Sequence, residues 1–530
     1  MDSSKIKALI IGVLAALFAV YLGIAAATSK VEVLIWMGSI IAVTGCLLLG
    51  KNIWALIPCG LAIGGGLNFL PGSPPVWWLA SMAAGGMLLL RFATRKDNFH
   101  WRLTLLDWMV FLQFIAVAQA YLRNPTGLSF FGGDMAGGRP YITFCISFGA
   151  YFLLSIMKTD LKTFRIVVIC VIAIMLGDGL IKLIAQFVPQ FAAMLLPIYS
   201  GIDFDAGYNN REVDLMESRV NSGVEIGGTL GLVLVCFYPP LSTINPLFFL
   251  RFCGMMIASF LILISGFRSV FGMLVIQFFV SLWIRRQYAQ TIVAVFIAIL
   301  GAVVLLLIGS LVQSLPAGAE RVLSVLPFVQ VDENKRDDAQ KSSDWRFEMW
   351  REALSSNRYI RNKALGDGFG LSAVEQKAQM DSVFGDKRRT RGMTIQDMML
   401  ERGSYHGFHV ETIRFTGALG LVIALIGLFT FLRYAYILIR HFQGSPYWGH
   451  VLFICLPFLI YPFSYLLIFG SYKSGFAQLI ASAGMLKLLD NIRFRELAAS
   501  RADARASKNQ ATANITDPKI SFPSTPVRTQ

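Results

Sequence analysis

Charge is scarce in this chain. Asp, Glu, Lys and Arg make up 15% of the 530 residues, 55% are hydrophobic, and the mean hydropathy is +0.60. That balance excludes a soluble domain of ordinary make-up, because it comes from apolar runs long enough to cross a bilayer. Acid is scarcer still, with 32 Asp and Glu against 47 Lys and Arg, a net charge of +15. Much of the basic excess lies in short polar connections and in the C-terminal tail, where anionic lipid accounts for it and no nucleic-acid partner is needed. The cysteines, Cys46, Cys59, Cys145, Cys170, Cys236, Cys253 and Cys455, stand singly in or beside apolar runs. So scattered, they exclude a disulfide framework and a thiolate metal site. Of only five histidines, two stand three residues apart.

What is there reads as an all-α polytopic membrane protein with about 12–14 transmembrane helices. Spans are expected near 6–28, 32–49, 53–70, 75–93, 104–122, 141–157, 163–188, 223–243, 246–264, 268–284, 290–312, 410–438, 448–469 and 473–490. The first run, Ile6 to Thr28, is too long for the apolar core of a cleaved signal peptide and reads as a retained helix. The chain therefore divides into a helical part with short loops (1–312), one large, partly helical loop (313–409), a last group of spans (410–490) and a basic tail (491–530). Arg95, Lys96 and Arg102, then Lys158, Lys162 and Arg165, then Arg285, Arg286 and Arg440 all fall on the side of the termini, which makes that side cytoplasmic. The tail is expected to be disordered and drawn to anionic lipid.

The opposite side carries the chemistry-bearing residues. Ser404 to Gly420, SYHGFHVETIRFTGALG, brings His406 and His409 to the mouth of a helix, and imidazole is the side chain best suited to accept a proton near neutral pH. Interfacial histidines with no chemistry are the alternative. The glycine-rich stretch RNPTGLSFFGGDMAGGRP holds Arg123 and Arg139 near the same surface, ESRVNSG places Arg219 just before a span, and SGFR places Arg268 at the head of one. A guanidinium there needs an anion or a polar partner, and its planar fork suits phosphate oxygens.

In the long loop, SSDWRFEMWREALSS sets Trp345, Met349, Trp350 and Leu354 on one helical face, expected to lie along the membrane surface. A second amphipathic piece is expected at Thr394 to Arg402. Between them come the glycine turn ALGDGFG and the basic run Lys387, Arg388, Arg389 and Arg391, either a solvated face or a site for phosphates. Asp178 and Lys182, one turn apart, are spaced to pair, either as a neutralising couple or as part of an ion path.

RFEMW at Arg346 to Trp350, GDGFG at Gly366 to Gly370, and His406 ahead of Gly417 and Gly420 together resemble the O-antigen ligase and polymerase family of bacterial inner-membrane glycosyltransferases. SGFR at Arg268 and RVNSG at Arg219 fit the same pattern. The resemblance covers about Asn221 to Leu421, with Gly407 where the family usually has Asn. It implies transfer of a glycan from undecaprenyl diphosphate to an acceptor hydroxyl at the periplasmic face, without metal or cofactor and with inversion. His406 would be the base, with His409 the other candidate for that role or else a substrate-binding residue, Arg268 and Arg219 would hold the diphosphate, and Arg346 would help to bind substrate, as would Arg139 by its place on the same face. The acceptor would be a lipid A core in a ligase, another glycan in a polymerase, or a Ser or Thr hydroxyl in a protein-directed relative. Lys387 to Arg391 near lipid A phosphates would favour the ligase. A glycolipid or anion transporter, centred on Asp178 and Lys182, is the rival from another class.

Overall fold

A computed structural model describes Trp36 and residues 44–46, 48–94, 102–126, 138–202, 221–296, 345–370, 400, 405–468 and 470–516. All regular structure among them is helical, apart from the isolated bridges Gly66 to Pro75 and Leu67 to Tyr199. The helices that matter below are α1 Leu56–Leu61, α2 Val76–Ala93, α3 Leu105–Arg123, α4 Arg139–Ile156, α5 Leu161–Phe187, α6 Asn221–Phe237, α7 Phe249–Ile264, α8 Arg268–Ile284, α9 345–355, α10 Phe408–His441, α11 Trp448–Phe463 and α12 Ala477–Thr516.

Six helical segments are long and apolar enough to span a bilayer: α2, α3, α4, α5, α10 and Trp448–Leu467, with α6, α7 and α8 shorter but apolar. Large apolar side chains such as Leu89, Ile166, Phe260 and Val422 stay exposed on outer faces, as lipid contact requires and water would not favour. The chain is an α-helical membrane protein.

Several expected spans are redrawn. The one at 53–70 stops at Leu61, because Gly64, Gly65 and Gly66 and the prolines 71, 74 and 75 break the helix. Pro239 and Asn245 split the one at 223–243 from its neighbour, with a short helix Pro240–Ile244 between. Those at 6–28, most of 32–49 and most of 290–312 lie outside the described residues. In the part of the tail that is described, α12 runs on past Asp490 to Thr516 where disorder was expected, and residues 517–530 lie outside the described residues. Residues 491–516 contain neither glycine nor proline and are rich in alanine, which favours a helix over disorder. Arg495 ties that extension to the Thr159 carbonyl and Asn491 donates to Ser155 O at 2.7 Å.

Helix direction sorts the molecule into two ends. Arg440 reaches Ile284 O, Arg285 reaches Cys236 O, and His441 lies 3.3 Å from Glu496, so the ends of α6, α8 and α10 gather with the outer part of α12. Arg102 pairs there with Asp490. Of the basic connections expected on one side, those around Arg102, Lys158 to Arg165, Arg285 and Arg440 share an end, and Arg95 and Lys96 lie outside the described residues. The starts of α4, α6, α8 and α10 lie at the other, together with the glycine turn at 366–370.

Candidate functional site

The site is organised by a break in α10. Gly417 has φ 77° and ψ 179° inside an otherwise helical run, which strips partners from the carbonyls before it and the amides after it. The glycine turn of the long loop supplies all four. Asp367 N donates to Arg414 O at 2.8 Å and Gly368 N to Phe415 O at 3.0 Å. In return Ala418 N donates to Lys363 O at 2.8 Å and Leu419 N to Ala364 O at 3.2 Å. A side chain at Gly417 would collide with the Ala364 carbonyl, and one at Gly366 (φ 77°) would come within 2.5 Å of Gly417 N. The two glycine signatures, some fifty residues apart in sequence, are thus two halves of one joint.

Other groups lock that joint. The Asp367 carboxylate accepts from the amides of Arg361 and Asn362 at 2.8 and 2.9 Å. Arg414, 1% exposed, donates to Gly368 O at 3.1 Å and lies 3.8 Å from Asp367. Arg123 donates to the carbonyls of Leu365 and Gly366, and Asn124 to Asp367 O. Arg123 therefore serves as a tether from α3 to the loop.

Helix α9 covers the first turn of α10. Met349, Ala353, Tyr359 and Ile360 are buried together with Leu400, Tyr405 and Val410, and Trp345, Trp350 and Leu354 pack beside them. The apolar face expected on the membrane surface is instead largely covered by protein. Phe347, on another side of α9, is the large apolar group left exposed. Trp350 donates its indole N–H to Tyr405 O at 2.8 Å and stands edge-on to His409, ring centres 4.5 Å apart. A side chain at Gly407 would come within 2.7 Å of the same indole nitrogen. Glycine after His406 is therefore a packing requirement set by Trp350.

His406 sits in the left-handed region at φ 49°, a conformation uncommon for a residue with a side chain. Its ring lies 6.5 Å from that of Trp345. Burial first, and the Arg346 cation second, hold its pKa below the ordinary imidazole value, so the ring is neutral at neutral pH and competent to take a proton. The buried Nε of Arg346 has no hydrogen-bond partner among the described residues. One turn on, Glu411 accepts from Tyr472 N at 2.8 Å and Ser471 Oγ at 3.2 Å. It fixes the 471–473 segment to the histidine turn. Sequence reasoning missed Glu411; an acid two residues after His409 in an apolar helix was the available signal.

The structure thus brings His406, His409 and Arg346 together. Arg139, 8% exposed, is drawn elsewhere. It donates to Gly72 O at 2.6 Å and Ser73 O at 3.1 Å, lies over Trp78 at 5.5 Å, and lines a separate cavity of about 530 Å³ with Lys473. Arg268 opens α8 at the histidine end, partly buried. Arg219, Lys387, Arg388, Arg389 and Arg391 lie outside the described residues.

Asp178 and Lys182 do pair, at 2.9 Å, and Glu225 joins them with both oxygens 2.7 and 2.8 Å from Lys182 Nζ. Tyr199 also donates to Asp178 at 2.6 Å. This cluster flanks Gly64, which with Gln478 separates the first cavity from a mainly apolar one of about 430 Å³. Among the described residues, no three His, Cys, Asp or Glu side chains converge as metal ligands. The sequence matches no protein-family model, and no curated protein matches it.

Proposed function

We propose that this protein is a membrane glycosyltransferase that moves a glycan from undecaprenyl diphosphate to an acceptor hydroxyl at the periplasmic face of the bacterial inner membrane, as an O-antigen ligase does. One observation carries the reading: a neutral, half-buried His406, held in a left-handed turn beside Arg346 at one end of a membrane helix bundle. In this scheme His406 takes the proton of the acceptor hydroxyl as that oxygen attacks the anomeric carbon from the face opposite the diphosphate. The glycosidic C–O bond to phosphate breaks, and the leaving diphosphate keeps the electron pair. Arg268 and Arg219 neutralise the charge that grows on it. His409, edge-on to Trp350, orients the turn. The resemblance in RFEMW, GDGFG and the histidine segment supplies the donor class.

The test is a gel of surface and lipid-linked glycans from cells lacking the protein, complemented with wild type, His406→Ala, His409→Ala or Arg268→Ala at matched expression. A ladder restored on lipid A by wild type, with full-length chains stranded on the carrier in His406→Ala, is the expected result. Single repeats in place of long chains would make the protein a polymerase. The cluster of Asp178, Lys182 and Glu225 favours the transporter instead. In that case every histidine variant restores the ladder and Glu225→Gln does not.

A further inference from the structure

We infer that Glu411 is a positioning residue for the histidine turn, steadying it by hydrogen bonding rather than by charge. The inference rests on the glycan-transfer reading and adds a residue to the site on which that reading depends.

The turn is supported from two sides. On one, α9 packs against it, with the Trp350 indole bonded to Tyr405 O and edge-on to His409. On the other lies the connection between α11 and α12. It is not α-helical: Ser464–Ile468 and Tyr472–Phe476 wind as π-helix, with Phe476 N donating to Ser471 O at 2.9 Å. Such wide turns are rare and concentrate at functional sites. Gly470 allows the close approach, since a side chain there would come within 3.0 Å of Phe408 Cβ. Tyr472, fully buried, lays its ring among those of Phe408, Phe415 and Phe369, and Gln113 of α3 donates to its hydroxyl.

Apolar contact is non-directional, so the rings bring the two segments together without setting their register. Glu411 sets it. Tyr472 N and Ser471 Oγ donate to the same carboxylate oxygen, at 2.8 and 3.2 Å. Glu411 lies two residues after His409 and five after His406, so both bonds act on the turn that carries the imidazoles. Because one oxygen takes both donors, a glutamine carbonyl can take them as well, and leucine cannot. Lys473, next in the segment, feels the Glu411 charge, and that is what glutamine would lose. The two substitutions therefore separate position from charge.

The experiment measures transfer by the full-length protein in detergent, from carrier-linked glycan extracted from cells lacking the protein to lipid A core from the same cells. A misplacement of about 1 Å at a reacting group costs about 10²-fold, so Glu411→Leu is expected to lower kcat per folded molecule by about 10–100-fold. KM for the donor is expected to stay within about twofold, since the loss falls on the chemical step. Glu411→Gln is expected to recover most of kcat. Hydrogen exchange, read without substrate, is expected to quicken at 405–411 and 470–476 together in Glu411→Leu and to stay slow in Glu411→Gln. Ser471→Ala, which removes one donor alone, keeps the test open if the leucine variant does not fold; a loss of about threefold or more in kcat is expected, and no loss overturns the inference. Wild-type turnover by Glu411→Leu overturns it, as does a glutamine variant as slow as the leucine one, which would make charge the working property. Faster exchange confined to 470–476 also overturns it, because the histidine turn then needs no second support. Normal transfer by His406→Ala defeats the transfer reading alone, and exchange still tests the support of the turn. Normal transfer by Glu411→Leu beside an inactive His406→Ala defeats this inference alone.

Discussion

The two ends of the helix bundle both hold buried charge, and they treat it differently. At the end opposite the histidines, Lys487 is fully buried. It donates to Asp107, to Thr104 Oγ1 at 2.9 Å and to the Arg102 carbonyl, while Tyr151 donates to the other Asp107 oxygen at 2.9 Å. Asp490 takes Arg102 and Arg493. The buried charges of this network have protein partners of opposite sign, and the network joins α3, α4 and α12. At the histidine end, Lys182 pairs with Asp178 and Glu225, while backbone carbonyls and aromatic rings help to hold other cations: Arg139 on Gly72 and Ser73, Arg123 on the glycine turn, Lys473 over Phe415. A charge network closed on itself holds helices together. Carbonyls and rings fix where a cation sits.

The sharpest test of that contrast is His406→Ala. Loss of a general base lowers turnover by about 10²–10⁴-fold, so glycan transfer should fall by that much while the thermal midpoint in detergent stays put. His409→Ala, which removes a ring packed on Trp350, should cost less turnover. A reversed order would make His409 the base.

Lys487→Met should do the opposite, sparing turnover per folded molecule and lowering stability. Breaking a buried pair by removing one partner costs about 3–5 kcal/mol, because the remaining charge is stranded. Thermal unfolding in detergent reads it. An unchanged midpoint would mean that water reaches Asp107 and that the network is not closed as described.

Gly417→Ala should fall between these. A side chain at φ 77° against the Ala364 carbonyl costs about 1–3 kcal/mol of local strain, and the first thing lost is the docking of 363–368. Faster proteolysis inside the long loop, with the membrane helices intact, is the expected pattern. Gly407→Asn should behave similarly, since Trp350 occupies the space.

Much of the fold was legible because bilayer thickness sets helix length. The apolar runs expected at 104–122, 141–157 and 268–284 end within two residues of α3, α4 and α8. The spacing of Asp178 and Lys182 also gave their pairing, although Glu225, 43 residues on, carried no local signal. Contacts between distant segments were beyond hydropathy. Lys487 and Asp107 lie 380 positions apart, and nothing local marks either as buried. The glycine signatures were visible as turns, but their union through four backbone hydrogen bonds was not. The amphipathic face of α9 was read correctly and assigned the wrong partner, since apolar periodicity shows that a face is covered without saying by what.

Arg346 gives the subtlest test, because two roles meet in one side chain. Its cation is the second cause, after burial, of the low proton affinity of His406. Removing it in Arg346→Gln should let the pKa of His406 rise. The base works only when neutral, so the acid limb of the transfer profile should move to higher pH: activity is lost in mildly acidic buffer and kept in alkaline buffer. A uniform fall at every pH, with the limb in place, would point to substrate binding, the role that the resemblance implies and that an Nε without a hydrogen-bond partner among the described residues would suit. Lys487→Met serves as the control from the other end, since a charge network closed on itself has no route to the catalytic limb. If that variant shifts the limb as well, the two ends are coupled, and the division between a structural and a functional pole fails.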